Sequence, residues 1–244
     1  MLLGHYDRAE PPLPRPTIPD RANTILRHAR ELILAKGYDG TTMAEIARRA
    51  GISKGAVYLD FPSKEALLDA LLARSVRDLA AAVRARVEAA EAPVPLSALY
   101  RYALEALLAD ELMLAFYTSD AGVLGSYVRG KGPARYGPRM DWLTGHLAEL
   151  RDAGLIRADV DVEAAATVLG VFAIGLIHAS ATVGPLSPDR LRSAIGALAD
   201  LIATGWETGD PAASGDRARH AHLRLIEALD RQVGSPPETP EETT

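Results

Sequence analysis

Apolar residues recur along most of the chain at three- and four-residue intervals, and no stretch alternates apolar and polar with the two-residue period of a strand. The pattern predicts helices throughout. Ile25, Ala29, Leu32 and Ile33 give a helix over about 19–35 one apolar face, and Gly37 stops it. Thr42 with Glu45 three residues on forms a capping box, opening a short helix with Ile46, Ala47 and Ala50 on its apolar side. Gly51 stands where the chain must leave that helix, a place for positive φ. Ser53 caps a second short helix that buries Val57 and Phe61, and Pro62 ends it because the residue before a proline is pushed out of the helical region. Ser63 caps the next helix, which good helix formers carry to about residue 91, where Pro93 and Pro95 follow. Further helices are expected over 96–111, less regularly over 118–128, over 139–153 up to Gly154, from an Asp161 cap to about 183, from Ser187-Pro188 to about 208, and over 216–233. Glycines and prolines crowd together over 122–138, so part of that segment is loop, a candidate moving part.

Two short helices about a Gly-containing turn make a helix-turn-helix, whose second member enters the DNA major groove. The surface of that member supports the same reading. Its first turn is Lys54-Gly55-Ala56, a cation followed by two residues with almost no side chain. Glycine inside a short helix costs about 1 kcal/mol relative to alanine, a cost expected where the backbone must approach another molecule closely. The free N–H groups of this turn suit a phosphate, and Tyr58 lies four residues beyond Lys54 on the same face. An ordinary helical corner with a solvated lysine accounts for any one of these features, but not for all of them together.

At this point the stretch from Thr41 to Leu68 resembles the DNA-binding domain of TetR/AcrR-type transcriptional regulators. Thr42, Ile46, Ala47, Ala50, Gly51, Ser53, Gly55, Tyr58, Phe61, Lys64 and Leu67 stand at the positions of that family's pattern. The resemblance covers roughly residues 20–70. It implies an all-α fold, with an N-terminal three-helix helix-turn-helix domain followed by a larger helical ligand-binding and dimerisation domain. The expected divisions are an arm over 1–16, the DNA-binding domain over 17–66, the regulatory domain over 67–208, and a linker, extra helix and tail over 209–244. It further implies DNA contacts from Thr41, Thr42, Ser53, Lys54, Gly55, Tyr58 and Lys64. Asp60 departs from the pattern, where a phosphate-compatible residue is common, and Ile33 stands where a Phe is common.

Charge and composition then narrow the picture. The net charge of −5 divides into +3 over residues 1–64 and −8 over the remainder, so only the N-terminal end is suited to a polyanion. The absence of cysteine excludes disulfides, thiol redox sensing and thiolate metal sites, and fits a cytoplasmic protein. Pro11, Pro12, Pro14 and Pro16 mark a leader without the apolar core of a signal peptide; Arg15 and Arg21 could touch DNA, though a solvated leader is the plainer account. The uncharged run over 164–186 is long enough for a membrane span, but Gly170, Gly175, His178, Ser180, Thr182 and Gly184 dilute it and no basic or aromatic flank anchors it. A central helix buried on two sides reads the same way, and no membrane partner is expected.

In the resembling family such a helix has a ligand pocket on one side and a partner subunit on the other. Candidate pocket residues are Tyr102, Phe116, Tyr117, Trp142, His146, Phe172 and His178, although each singly is better explained by core packing. Candidate dimer residues are Ala166, Gly170, Ala173 and Ile177 on one helix and Leu191, Ala194, Ile195, Leu198 and Ile202 on the next. No phosphate loop, nucleophile elbow or metalloprotease helix is present, His220 and His222 read as solvated, and no cofactor or metal is expected. The expectation is a non-enzymatic homodimer, most simply a repressor, that binds a palindromic double-stranded operator and is released by a small, largely apolar effector. An activator or effector-independent regulator, or a helical interaction module without specific DNA binding, are the alternatives.

Overall fold

The computed structural model describes residues 20–118, 121–124, 139–182, 184, 186–210 and 215–234. In chain order the helices are α1 (Arg21–Gly40), α2 (Met43–Ala50), α3 (Lys54–Asp60), α4 (Lys64–Ala89), α5 (Leu96–Ala109), α6 (Glu111–Thr118), α7 (Ala121–Leu124), α8 (Arg139–Asp152), α9 (Val162–Thr182), α10 (Pro188–Gly205) and α11 (Gly215–Gly234). Among the described residues strand-like pairing is limited to one isolated bridge between Ile156 and Glu207. The fold is all-α.

The caps read from the sequence are in place. The hydroxyls of Thr42, Ser53, Ser63 and Ser187 accept from the N–H groups of Glu45, Ala56, Ala66 and Arg190, and Asp161 Oδ1 accepts from Glu163 and Ala164. Each such cap is worth about 1 kcal/mol. Gly51 ends α2 at φ 68° with its N–H on the carbonyls of Ala47 and Arg48, a conformation only glycine takes cheaply. Gly37, at φ 80°, interrupts α1 before one last turn.

One division differs from expectation. The predicted 96–111 helix stops at Asp110, whose Oδ1 accepts from the N–H groups of Leu112 and Met113, both at 2.9 Å, and so starts α6 over 111–118. A short acidic side chain that bonds nearby backbone N–H groups competes with helix continuation. Of the Gly/Pro-rich segment expected to move, residues 125–138 lie outside the described residues.

Three clusters make the core. The first gathers α1, α2, α3 and the start of α4 (Leu67, Leu68, Leu71) together with Leu112 and Ala115 of α6 and Leu124 of α7. The second gathers the far half of α4 (Ala80, Val83, Val87) with α5, α8, α9, α10 and α11. Between them lie Leu104, Leu107, Met113, Leu191 and Ile195. The first core therefore does not close at residue 66; α4 serves two cores, and α6 faces the first with Leu112 and the intermediate cluster with Met113. Among the described residues no helix is long and apolar enough to cross a membrane.

The expected dimer stripe is corrected here. Leu191, Ile195, Leu198 and Ile202 are buried within the chain, where α10 lies along α5, and Ala194 is half-buried. On α9, Ala166 and Gly170 are likewise buried, Ala173 is exposed, and the side chain of Ile177 is outside the described residues. The apolar spacing was sound, but it marks the face each helix turns to its own core. The opposite faces carry a second apolar stripe: Ala164, Val168, Val171 and Gly175 on α9, and Ala197, Leu201 and Thr204 on α10, all exposed. Val171 is 64% and Leu201 67% exposed.

Candidate DNA interface

Three features fix the orientation of α3. Val57 is fully buried and Phe61 nearly so, which sets the helix's rotation against the first core. Arg21 at the start of α1 grips Asp60 at the end of α3 through two bonds, Nε–Oδ2 at 2.7 Å and Nη2–Oδ1 at 2.6 Å. The hydrogen bond from Arg21 holds the Asp60 carboxyl below its usual range. Asp60 is thus a brace, and Arg21 is committed to it instead of reaching DNA from an N-terminal arm.

With that face held, α3 exposes Lys54, Gly55, Tyr58 and Leu59. Lys54 Nζ lies 5.8 Å from the Tyr58 ring centroid, a cation beside an aromatic face. A Cβ at Gly55 would meet nothing within 4 Å inside the chain, so internal packing does not demand a glycine there. The missing side chain leaves the exposed backbone there open to close approach from outside the chain. Thr42 and Ser53 are exposed caps whose hydroxyls hold the helix starts.

Two expected contacts are placed elsewhere. Thr41 is fully buried, its Oγ1 donating to the Gly37 carbonyl at 2.9 Å, so its side chain secures the end of α1. Lys64 Nζ donates to the carbonyls of Tyr38 (2.8 Å) and Thr41 (3.0 Å) and sits 4.2 Å from the Tyr38 ring centroid. Its charge ties the start of α4 to the end of α1. Sequence reading passed over Arg48, exposed in the last turn of α2, and Leu59; cations late in a helix are equally read as partners of its dipole, as Arg49 here pairs with Glu31 at 3.4 Å.

The expected pocket residues whose side chains are described border different parts of the core. Phe116 packs on the first core and lies edge-on to Tyr117, their centroids 5.8 Å apart. Tyr117 and Phe172 both border the intermediate cluster, beside Leu108 and Leu176. Tyr102 lies under the Arg86 guanidinium, 5.2 Å from its ring centroid, and Trp142 is half-buried. The side chain of His178 is outside the described residues. The groove of about 350 Å³ at the start of α9, lined by Asp159, Val160, Asp161, Ala165, Val168 and Trp206 among others, contains none of the seven.

His146 instead meets His222, which is fully buried, not solvated: the ring centroids are 5.1 Å apart. The cause is α11, which packs on α4 and α8 and carries His222 inward while His220 stays exposed. His222 Nε2 donates to the Val94 carbonyl at 2.9 Å, leaving its Nδ1 without a partner. Burial, then His222, then Arg224 push the His146 imidazole down to about 3, and burial lowers His222 as well. Among the described residues no group of three or more His, Cys, Asp or Glu is placed to hold a metal ion.

Comparison with known proteins agrees with this geometry. The family described as bacterial regulatory proteins, tetR family, matches residues 25–71, the first core without its α6 and α7 additions. The chain is 47% identical over 53 residues to the uncharacterized HTH-type transcriptional regulator YuxN of Bacillus subtilis, covering 22% of this chain but only 18% of that one. It is 30% identical over 148 residues to the HTH-type transcriptional repressor KstR2 of Rhodococcus jostii, covering 59% of this chain and 72% of KstR2. The crystal structure of a TetR-family regulator from Pectobacterium atrosepticum shares the fold, with a TM-score of 0.56 at 21% identity over 79% of this chain and 96% of that one. The helix-turn-helix match and the longer match to KstR2 agree: this chain belongs to the tetR family of bacterial regulatory proteins, transcriptional regulators and not enzymes.

Proposed function

We propose that the chain is a homodimeric repressor that lays α3 of each protomer into successive major grooves of a palindromic operator and lets go when a small apolar effector binds. The observation that carries this reading is the exposed face of α3, where Lys54, Gly55 and Tyr58 stand clear of a helix locked from behind by Val57 and Asp60. Arg48 joins Lys54 as a phosphate contact. The likeness to KstR2, a repressor, supports repression over activation.

The partner copy covers the stripe of Ala164, Val168, Val171, Gly175, Ala197, Leu201 and Thr204. Its low relief lets two helices from each protomer pack closely. The effector lies beside Phe172 and Tyr117, where α5, α6 and α9 meet around apolar side chains. Displacing α6 there moves the reader, because Leu112 and Ala115 belong to the first core and Asp110 pairs with Arg30 of α1 at 3.3 Å. A coupling of about 1–3 kcal/mol weakens DNA binding 5–150-fold.

The test is selection of duplexes from a random library by the full-length protein, followed by fluorescence anisotropy at several salt concentrations. The expected result is an inverted repeat with half-sites about 34 Å apart or a multiple of it. Equal affinity for every duplex would remove the operator from the proposal.

A further inference from the structure

We infer that Leu59 reads sequence: its side chain rests on the C5-methyl group of a thymine in the major groove, so that each half-site requires thymine at one position. This rests on the reading of α3 as the groove-entering helix.

A lone exposed leucine on a protein surface needs no account. The placement of this one does. Leu59 is 81% exposed, against 67% for Leu201, 64% for Val171, 50% for Val168 and 41% for Tyr58. Two residues are about 200° of helical rotation, so Leu59 points nearly opposite to fully buried Val57, along the line by which α3 would enter a groove. One turn earlier on the same side is Gly55, which has no side chain to shield it. The next residue, Asp60, is turned to Arg21, so its carboxylate is held in the protein and not offered to the groove beside Leu59. The foremost group on the helix is therefore an apolar, branched side chain.

The major-groove edges of guanine, cytosine and adenine present only polar donors and acceptors, whereas thymine adds a methyl group. A leucine pressed on a polar edge would strip water from it without replacing a hydrogen bond. On the methyl it loses nothing and buries apolar area on both partners. Lys54 and Tyr58 flank the reading position; the lysine does not distinguish thymine from deoxyuridine, and the Leu59→Ala protein separates the leucine's contribution from that of the Tyr58 ring.

That distinction supplies the experiment. A duplex selected by the full-length protein is prepared with its thymines replaced by deoxyuridine, one symmetric pair at a time, and titrated by anisotropy. Replacement at one pair weakens binding roughly fourfold per half-site, the worth of burying one methyl, and about 15-fold for both. Leu59→Ala protein, whose melting temperature stays at the wild-type value because the residue is exposed, binds the parent duplex more weakly and does not respond to deoxyuridine at that pair. Selected half-sites without a required thymine, or a Leu59→Ala protein that keeps the full deoxyuridine penalty, would overturn the inference while leaving the operator reading intact. Failure of the library to yield any selected sequence overturns both. A Leu59→Ala protein that binds every duplex as the wild type does overturns the inference.

Discussion

Lowering the pH from 7 to 5 should destabilise this protein steeply, and the two buried histidines set the slope. In the unfolded chain both imidazoles take up a proton near 6.5. In the folded chain His146 is pushed down to about 3 by burial, by His222 and by Arg224, and His222 is lowered by burial. The folded state thus binds fewer protons than the unfolded one throughout the interval. The stabilising difference is fully present above 6.5 and is lost as the pH falls toward the folded values. Each histidine contributes up to about 1.4 kcal/mol per pH unit, the full slope applying where the unfolded imidazole is protonated and the folded one is not. By pH 5 His146 alone removes about 2 kcal/mol, and His222 up to the same again, from a total of order 5–15 kcal/mol. The assay is urea denaturation of the full chain at pH 7, 6 and 5. Wild type should show a midpoint that drops steadily, and the His146→Leu/His222→Leu double variant a nearly flat one. At pH 7 the variant sheds buried imidazole nitrogens that lack partners but also loses the His222–Val94 bond, so the test rests on the pH slope and not on the absolute midpoint. An equal pH slope in both proteins would refute the reasoning.

Lys54→Ala should weaken operator binding and lower the salt slope by about one unit per protomer, whereas Lys64→Ala should leave the slope unchanged and lower the melting temperature, since its two bonds to Tyr38 and Thr41 carbonyls are worth about 1–3 kcal/mol together. Gly55→Leu should fold normally, as the added Cβ meets no atom within 4 Å, yet lose specific binding in anisotropy titrations. Val171→Arg with Leu201→Arg should give folded monomers by light scattering that bind DNA poorly, while Ile195→Arg, at a buried site, should lower the yield of folded protein.

The reader was legible in the sequence because its determinants are local. Thr42, Ser53 and Ser63 act within three residues of themselves, and Gly51 acts on its own φ, so spacing alone identified them. Pairings across the fold were not legible. Lys64 meets Tyr38 and Thr41 more than twenty positions earlier, Arg21 meets Asp60, and His146 meets His222, none of which periodicity can announce. Periodicity also says that a helix has an apolar face without saying what covers it. On α10 the regular stripe of Leu191, Ile195, Leu198 and Ile202 faces its own chain, while the face left open is sparser, with Leu201 between Ala197 and Thr204.

The distribution of cores bears on how a signal could cross the molecule. Reader and regulatory helices do not meet through α4 alone. Leu112, Ala115 and Leu124 are as much part of the first core as Ile46 or Val57, and Asp110 both starts α6 and pairs with Arg30 of α1. Close-packed interiors pass displacement on because neighbours have no room to absorb it. If a ligand tilts α6 as proposed, it would act on α1 directly, and the Arg21–Asp60 pair would carry that tilt from α1 to α3. The long α4 then serves as the pivot, anchored by Leu67, Leu68 and Leu71 at one end and by Ala80, Val83 and Val87 at the other. In the proposed homodimer, such an effector would alter the separation of the two reading helices without touching any residue proposed to face DNA.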